Sequence, residues 1–223
     1  MINYSASVGE RDIDGNAHMN NAAFVGHFDE AALGVLLSEG FEFADLGARP
    51  FLRNAQYTYD SQVRAGEVIE VKSSFQNKGT ARILLGQEMS ASGKVVARAD
   101  LEYGLVRASR GAPQDHSDCV RIFEGWKKDI IEREGLGVEV LGKLGEGLFV
   151  RQAIYVYTSP FLITWPAIKG SLSYPGGARV LSVQEMFADD ESLARASAEY
   201  VFVNLETGRP TRPPRELVEK LKV

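Results

Sequence analysis

The sequence predicts an α+β protein in which one unit, a helix followed by antiparallel strands, occurs twice. Three observations carry this. Segments about a hundred residues apart repeat one another. A long apolar helix with start and stop signals opens the first copy. Four segments of strand composition, separated by glycine-bearing turns, follow that helix.

The repeat is read in three blocks. Phe51-Leu52-Arg53-Asn54-Ala55-Gln56-Tyr57-Thr58-Tyr59 is echoed by Phe149-Val150-Arg151-Gln152-Ala153-Ile154-Tyr155-Val156-Tyr157, an offset of 98 residues (149 − 51). Gly79 to Met89 matches Gly176 to Met186, and Ala97 to Pro113 matches Ala194 to Pro210, both at an offset of 97. The blocks hold 5 of 9, 7 of 11 and 8 of 17 identities, where unrelated sequence of average composition gives roughly 6%. The chain therefore reads as a tandem duplication with domains at 1–112 and 113–223.

Asn20 and Asn21 are good N-cap residues, and the helix after them runs through Phe24, Phe28, Leu33, Leu36 and Leu37 to Glu39-Gly40, where glycine closes it. Its apolar residues cover most of the circumference, so other structure should wrap it. A second, more amphipathic helix is expected around Val120 to Trp126. Strands are expected near Asn54 to Ser61, Val68 to Phe75, Arg82 to Ser90 and Val95 to Val106, with turns at Asn77-Lys78-Gly79 and Ser92-Gly93-Lys94. A sheet of this size must cover its apolar face, and the long helix is the obvious cover.

Composition excludes several classes. The chain of 223 residues is 44% hydrophobic and 25% charged, which suits a globular core and not a disordered chain. A formal net charge of -5 opposes nucleic-acid binding, which draws on surplus Lys and Arg. Cys119 is alone, which excludes an intrachain disulfide and fits a reducing cytoplasm; it is expected to be half-buried. The first residues lack a basic start with an apolar stretch, and no run reaches membrane-span length, so neither export nor membrane insertion is expected. Three His and one Cys supply no zinc ligand set.

The dense cluster of reactive side chains is Asp12-Ile13-Asp14-Gly15-Asn16-Ala17-His18-Met19-Asn20-Asn21, just before the first helix. Asp14 suits a general base or nucleophile; Asn16 and His18 suit orienting water, carrying a proton or polarising a carbonyl. Unpaired N–H groups at the helix start after Asn20 suit a developing oxyanion. The same residues also spell an ordinary turn with an asparagine cap. A calcium loop shares the Asp-x-Asp-x-Asn spacing, but Ala17 and Ala23 replace its glycine and its terminal glutamate.

The motif resembles the Asp-x-Asp-x-Asn-x-His-x-Asn-Asn motif of acyl-ACP thioesterases, members of the hot-dog thioesterases. Glu206-Thr207-Gly208-Arg209-Pro210 also resembles a strand end common in such domains. The resemblance implies a tandem hot-dog, each unit an antiparallel sheet wrapped around a long helix. It also implies hydrolysis of an acyl thioester on coenzyme A or acyl carrier protein, within fatty acid metabolism and without a cofactor. It assigns catalysis to Asp14, Asn16 and His18, with Asn20 in support. The family places an acidic or thiol group on the strand after the helix; here the nearest positions are Asp60 and Gln62, with Gln62 aligning best as a supporting residue. Phe28 and Trp165 are candidates for the acyl groove, and Lys169, Arg179, Arg209, Arg212 and Arg215 for contacts to the carrier. Plant acyl-ACP thioesterases carry the motif in their second domain, whereas this chain carries it in the first.

His116 stands opposite His18 in the repeat and is expected to be a surface or cap residue, because Gln114 to Cys119 does not reproduce the motif. His27 is expected to be packed and hydrogen-bonded, and Trp126 to lie in the core or between domains. One functional site per chain follows, with the sheets joined edge to edge, in a monomer of fused repeats or a homodimer. A non-catalytic acyl-thioester binding or sensing protein is the rival function; a hot-dog dehydratase lacks the expected histidine and Gly/Pro-rich run.

Overall fold

The computed structural model describes residues 2–40, 48–77, 82–107, 116–133, 137–158, 166–188 and 190–221. In chain order its elements are β1 (Ile2–Ser7), α1 (Asn21–Ser38), β2 (Ala48–Tyr59), β3 (Val68–Asn77), β4 (Arg82–Ala91), β5 (Lys94–Arg107), α2 (His116–Arg133), α3 (Val138–Lys143), β6 (Glu146–Tyr157), β7 (Ala167–Gly176), β8 (Arg179–Ala188), β9 (Glu191–Asn204) and α4 (Arg215–Lys220).

The nine strands form one sheet in the order β1-β3-β4-β5-β2-β6-β9-β8-β7, and every described pairing is antiparallel. The order is nearly a mirror about its centre: β3-β4-β5-β2 on one side answers β7-β8-β9-β6 on the other. The halves meet where Asn54 to Thr58 of β2 pair with Val156 to Gln152 of β6. Even the irregularities repeat. The β2/β5 register shifts between Leu52 and Asn54, and β6/β9 shifts between Val150 and Gln152; β4/β5 and β8/β9 shift after Met89 and Met186. In each half the extra residue of the bulge is an arginine, Arg53 in β2 and Arg151 in β6.

α1 begins and ends as its sequence signals predict: Asn20 Oδ1 accepts from the Ala23 N–H at 2.8 Å, and Gly40 beyond the helix has φ +80°. Phe24, Val25, Phe28, Ala31, Ala32, Val35 and Leu36 are buried, and the helix packs on α2, β1, β3 and β4. Leu33 and Leu37 are each 48% exposed. The helix is thus covered by the sheet on one side and by α2 on another, and is not wrapped all round, since its Leu33 and Leu37 face stays open. α2 lies beside it, held by Gln184 Nε2 donating to the Phe123 carbonyl at 2.7 Å. Cys119 of α2 is fully buried, not half-buried, because it faces the core beside Val120 and Phe123.

Further departures are local. β2 ends at Tyr59, so Asp60 and Gln62 are not strand residues: the Asp60 and Ser61 N–H groups both turn to the Val96 carbonyl, at 2.8 and 3.2 Å. β1, α3 and α4 were not expected; β1 reads Ile-Asn-Tyr-Ser-Ala-Ser, too polar to announce itself, and is held by pairing with β3. The Ser92-Gly93 turn occurs as expected with positive φ at both residues. Lys78 and Gly79 lie outside the described residues, as do Trp165 and residues 108–115 at the expected domain boundary.

Candidate functional site

Residues Asp12 to Asn20 form a small hairpin. The Asp14 N–H donates to the His18 carbonyl at 2.8 Å, the Asn20 N–H to the Asp12 carbonyl at 2.7 Å, and Ile13 bridges Met19. Within it Asp14 Oδ1 accepts from the Asn16 N–H at 2.8 Å and the His18 N–H at 3.3 Å, which is the turn chemistry that Asp and Asn favour. Ala17 takes φ +61° at the tip, a left-handed conformation costly for a residue with a Cβ. The Met19 N–H donates to the Val63 carbonyl at 2.7 Å and pins the hairpin to the loop after β2. Asn20 Nδ2 holds the Asp12 carbonyl at 2.8 Å while its oxygen caps α1, so one side chain joins hairpin to helix.

This arrangement brings Asp14, Asn16 and His18 together ahead of the start of α1. Asp14 is exposed, and Oδ2 accepts no hydrogen bond from the described residues; the Asn16 amide side chain makes none either. His18 is half-buried. Its Nδ1 is buried and lacks a partner among the described residues, and its ring meets Phe149 of β6 edge-on, centroids 5.6 Å apart. Burial holds its imidazole below the ordinary value of 6.5; Arg64 pushes the same way and Asp14 opposes. Among the described residues the N–H groups of Asn21 and Ala22, the first two of α1, make no hydrogen bond. Two free donors at the positive end of an 18-residue helix are suited to an anionic oxygen.

Asn21 is held from the second half of the chain. Its Nδ2 donates to Tyr155 Oη at 3.1 Å and Glu124 Oε1 at 3.3 Å, and its Oδ1 accepts from Tyr59 Oη. Phe149 was not singled out from sequence, and Asn21 was read there only as a helix-cap candidate; the cap is Asn20, and Asn21 is the first residue of α1. Phe149 stands in the repeat block, at the position of Phe51, and that block was read for architecture alone.

The remaining expectations divide. Gln62 is exposed, in the loop beside the hairpin and off any strand; Asp60 is engaged by Arg98. Phe28 is fully buried and tilted against Tyr57 with centroids 5.8 Å apart, so it is core and not the wall of an open groove. His27 is packed as expected, its Nδ1 2.8 Å from Tyr4 Oη. Trp126 lies against Gly170 of β7. His116 is corrected. Its side chain is only 8% exposed, with Nδ1 3.3 Å from Asp29 Oδ1 and 3.2 Å from Tyr57 Oη, and its ring stands edge-on to Tyr157. The start of α2 is turned into the seam between the halves, so a residue there is interior even where the motif is lost.

An open groove of about 490 Å³ is lined by Phe51, Arg53, Asn54, Arg82, Glu102, Val156, Tyr157 and Thr158. It does not contain the hairpin: Phe149, beside His18, is eight residues from Tyr157 on β6 (157 − 149), roughly 26 Å along a strand. Among the described residues no group of three or more His, Cys, Asp or Glu could hold a metal ion, and no helix is long and apolar enough to cross a membrane.

The sheet and its helices are similar to three solved structures: a 12:0-ACP thioesterase from Umbellularia californica (10% identity, 94% of each chain covered, TM-score 0.68), an acyl-ACP thioesterase from Bacteroides thetaiotaomicron VPI-5482 (11%, 89% of this chain and 96% of that one, 0.66) and the tesB protein of Mycobacterium avium subs paratuberculosis (9%, 90% and 92%, 0.63). At such identities the likeness is one of fold, the hot-dog thioesterase fold. No curated protein sequence matches the chain. The sequence profile of the thioesterase-like superfamily matches residues 8–121, a span that takes in the hairpin, α1, β2 to β5 and the start of α2. That span is just over half of the 223 residues, and with the fold it makes this chain a member of the thioesterase-like superfamily.

Proposed function

We propose that the chain hydrolyses an acyl thioester, carried on coenzyme A or acyl carrier protein, to a free acid and a thiol. The observation that carries this reading is the hairpin itself, which sets Asp14, Asn16 and His18 ahead of two unpaired N–H groups at the start of α1. In this reading water adds to the thioester carbonyl while Asp14, through the oxygen not spent on the turn, takes its proton. The carbonyl electron pair moves onto oxygen, where the Asn21 and Ala22 N–H groups receive it. Asn16 orients the water or the carbonyl. As the carbonyl re-forms and the carbon–sulfur bond breaks, neutral His18 passes the proton that Asp14 took to the departing sulfur, so that the free acid and the thiol leave and Asp14 is again a carboxylate. Asp14 acting first as nucleophile is the variant of the same scheme. Membership of the superfamily supports the reaction class.

The proposal extends to organisation: a tandem hot-dog with units at 1–112 and 113–223, of which the first carries the chemistry, in the cytoplasm. The mirrored strand order and the repeated bulges support it. The test is incubation with a panel of acyl-CoA and acyl-ACP thioesters, reading released thiol. Asp14→Asn should keep the fold and lower hydrolysis at least about a hundredfold, the low end for a lost acid or base group. Near wild-type turnover in that variant removes Asp14 from the mechanism. Binding of the panel without thiol release replaces hydrolysis with an acyl-thioester sensor.

A further inference from the structure

We propose that Glu124 of α2 is a positioning residue for the free N–H groups at the start of α1, and that Lys127 is present to neutralise it. The inference rests on the hydrolytic reading above and assigns that site a device contributed by the other half of the chain.

Asn21 is the first residue of α1 and carries one of the two free N–H groups. Its side-chain amide is held on three sides: by Tyr59 of β2, Tyr155 of β6 and Glu124 of α2. Glu124 Oε1 also accepts from Tyr200 Oη of β9 at 2.9 Å, so the same carboxylate oxygen ties the helix start to the sheet. Its other oxygen pairs with Lys127 one turn along α2, and Lys127 Nζ also lies 4.2 Å from the centre of the Tyr200 ring. Glu124 and Lys127 are 22% and 14% exposed, so water screens the pair poorly.

The duplication separates what the fold requires from what this end adds. Tyr59, Tyr155 and Tyr200 have counterparts in Tyr157, Tyr57 and Tyr103 at the other end of the seam, so the tyrosines belong to the shared architecture. Asn21, Glu124 and Lys127 correspond at an offset of 98 to Cys119, Gly26 and Asp29. This Asn-Glu-Lys combination is therefore confined to the end that carries the hairpin, while the other end sets Asp29 against His116 beside Tyr57. A carboxylate is a strong acceptor for the Asn21 amide. It is also a charge of the wrong sign beside donors meant for an oxyanion, and Lys127 cancels that charge without touching Asn21.

The experiment compares two uncharged replacements that differ by one acceptor, Glu124→Gln with Lys127→Met and Glu124→Leu with Lys127→Met, with Lys127→Met alone as a third variant. The Gln-bearing variant should keep kcat within about threefold of the parent. The Leu-bearing variant should lose at least about tenfold in kcat with KM little changed, as misplaced transition-state donors require. Lys127→Met alone should lose a similar amount, restored by adding Glu124→Gln. Backbone amide resonances of Asn21 and Ala22 give a reading independent of turnover: they should stay at parental positions in the Gln-bearing variant and move in the Leu-bearing one. Equal kcat in the two uncharged variants, or amides unmoved in both, overturns the positioning role. Parental kcat in Lys127→Met alone, or failure of Glu124→Gln to restore it, overturns the neutralising role. A parent that hydrolyses no thioester sinks the hydrolytic reading instead, and the amide resonances then judge the network alone.

Discussion

The ring of His18 is subject to opposing influences. Burial against Phe149 and the charge of Arg64 disfavour its cation, and Asp14 favours it, with the balance below the ordinary imidazole value. Neutral His18 therefore persists to lower pH than in a free histidine. The acidic limb of kcat/KM should lie below pH 6.5, the ordinary value. Arg64→Gln removes a positive neighbour, makes protonation easier and should move that limb to higher pH; a limb that stays put assigns it to another group. The linkage has a matching sign: as pH falls through the unfolded value the unfolded chain takes up the proton first, so acid weakens folding at this residue. His18→Ala should cost as much as Asp14→Asn or less. The motif was legible because Asp, Asn, His and Asn crowd ten positions ahead of a helix. What the hairpin does with them was less so: spending Asp14 Oδ1 on two backbone N–H groups is a property of the folded turn. Gln62 was misplaced because the chain leaves β2 at Tyr59, bound by the Val96 carbonyl, where alternation in the sequence runs on.

Among the strands, the two copies show how one sequence pattern serves different ends. Gln87 and Gln184 occupy equivalent places in Gln-Glu-Met, yet Gln87 donates to Ser73 of the neighbouring β3 at 3.1 Å while Gln184 reaches the Phe123 carbonyl of α2. The second copy leaves room for this because Gly170 of β7 admits Trp126. A Cβ at that position would meet the Val183 carbonyl at 2.6 Å and the Trp126 ring at 2.9 Å. Gly170→Ala should thus destabilise the fold by about 1–3 kcal/mol, the usual cost of overpacking. A denaturant midpoint equal to the parent's would show that β7 and Trp126 yield freely. The first helix was readable to within a residue, since its asparagine cap and closing glycine are local signals. Its solvent-facing Leu33 and Leu37 were not, because which flank is covered depends on where α2 docks. His116 was misread for the same reason: its interior position follows from the approach of α2 to Tyr57 and Tyr157, residues 59 and 41 positions away (116 − 57 and 157 − 116).

In the molecule as a whole, the hairpin near the start of the chain meets a strand from its second half, where Phe149 of β6 stands edge-on to His18. This makes the repeats experimentally distinguishable. Phe149→Ala removes the ring against His18 and should lower turnover at least about tenfold, whereas Phe51→Ala, its counterpart at the far end of the seam, should leave kcat within about twofold. Equal effects would mean that both ends work. Calorimetric titration with a nonhydrolysable acyl-CoA should accordingly give one site per 24.5 kDa chain, and two equivalent sites would restore function to the second copy. The contacts Asn21–Tyr155 and Asn21–Glu124 span 134 and 103 residues of chain. Contacts so remote in sequence close late, because the intervening loop must first be drawn in. During synthesis the first copy can assemble its own strands, yet His18 has no Phe149 and Asn21 no anchor until β6 has emerged and paired with β2. These contacts therefore close after the strands of the first half have paired among themselves, and a nascent chain carries every residue of the motif before it has the means to hold them in place.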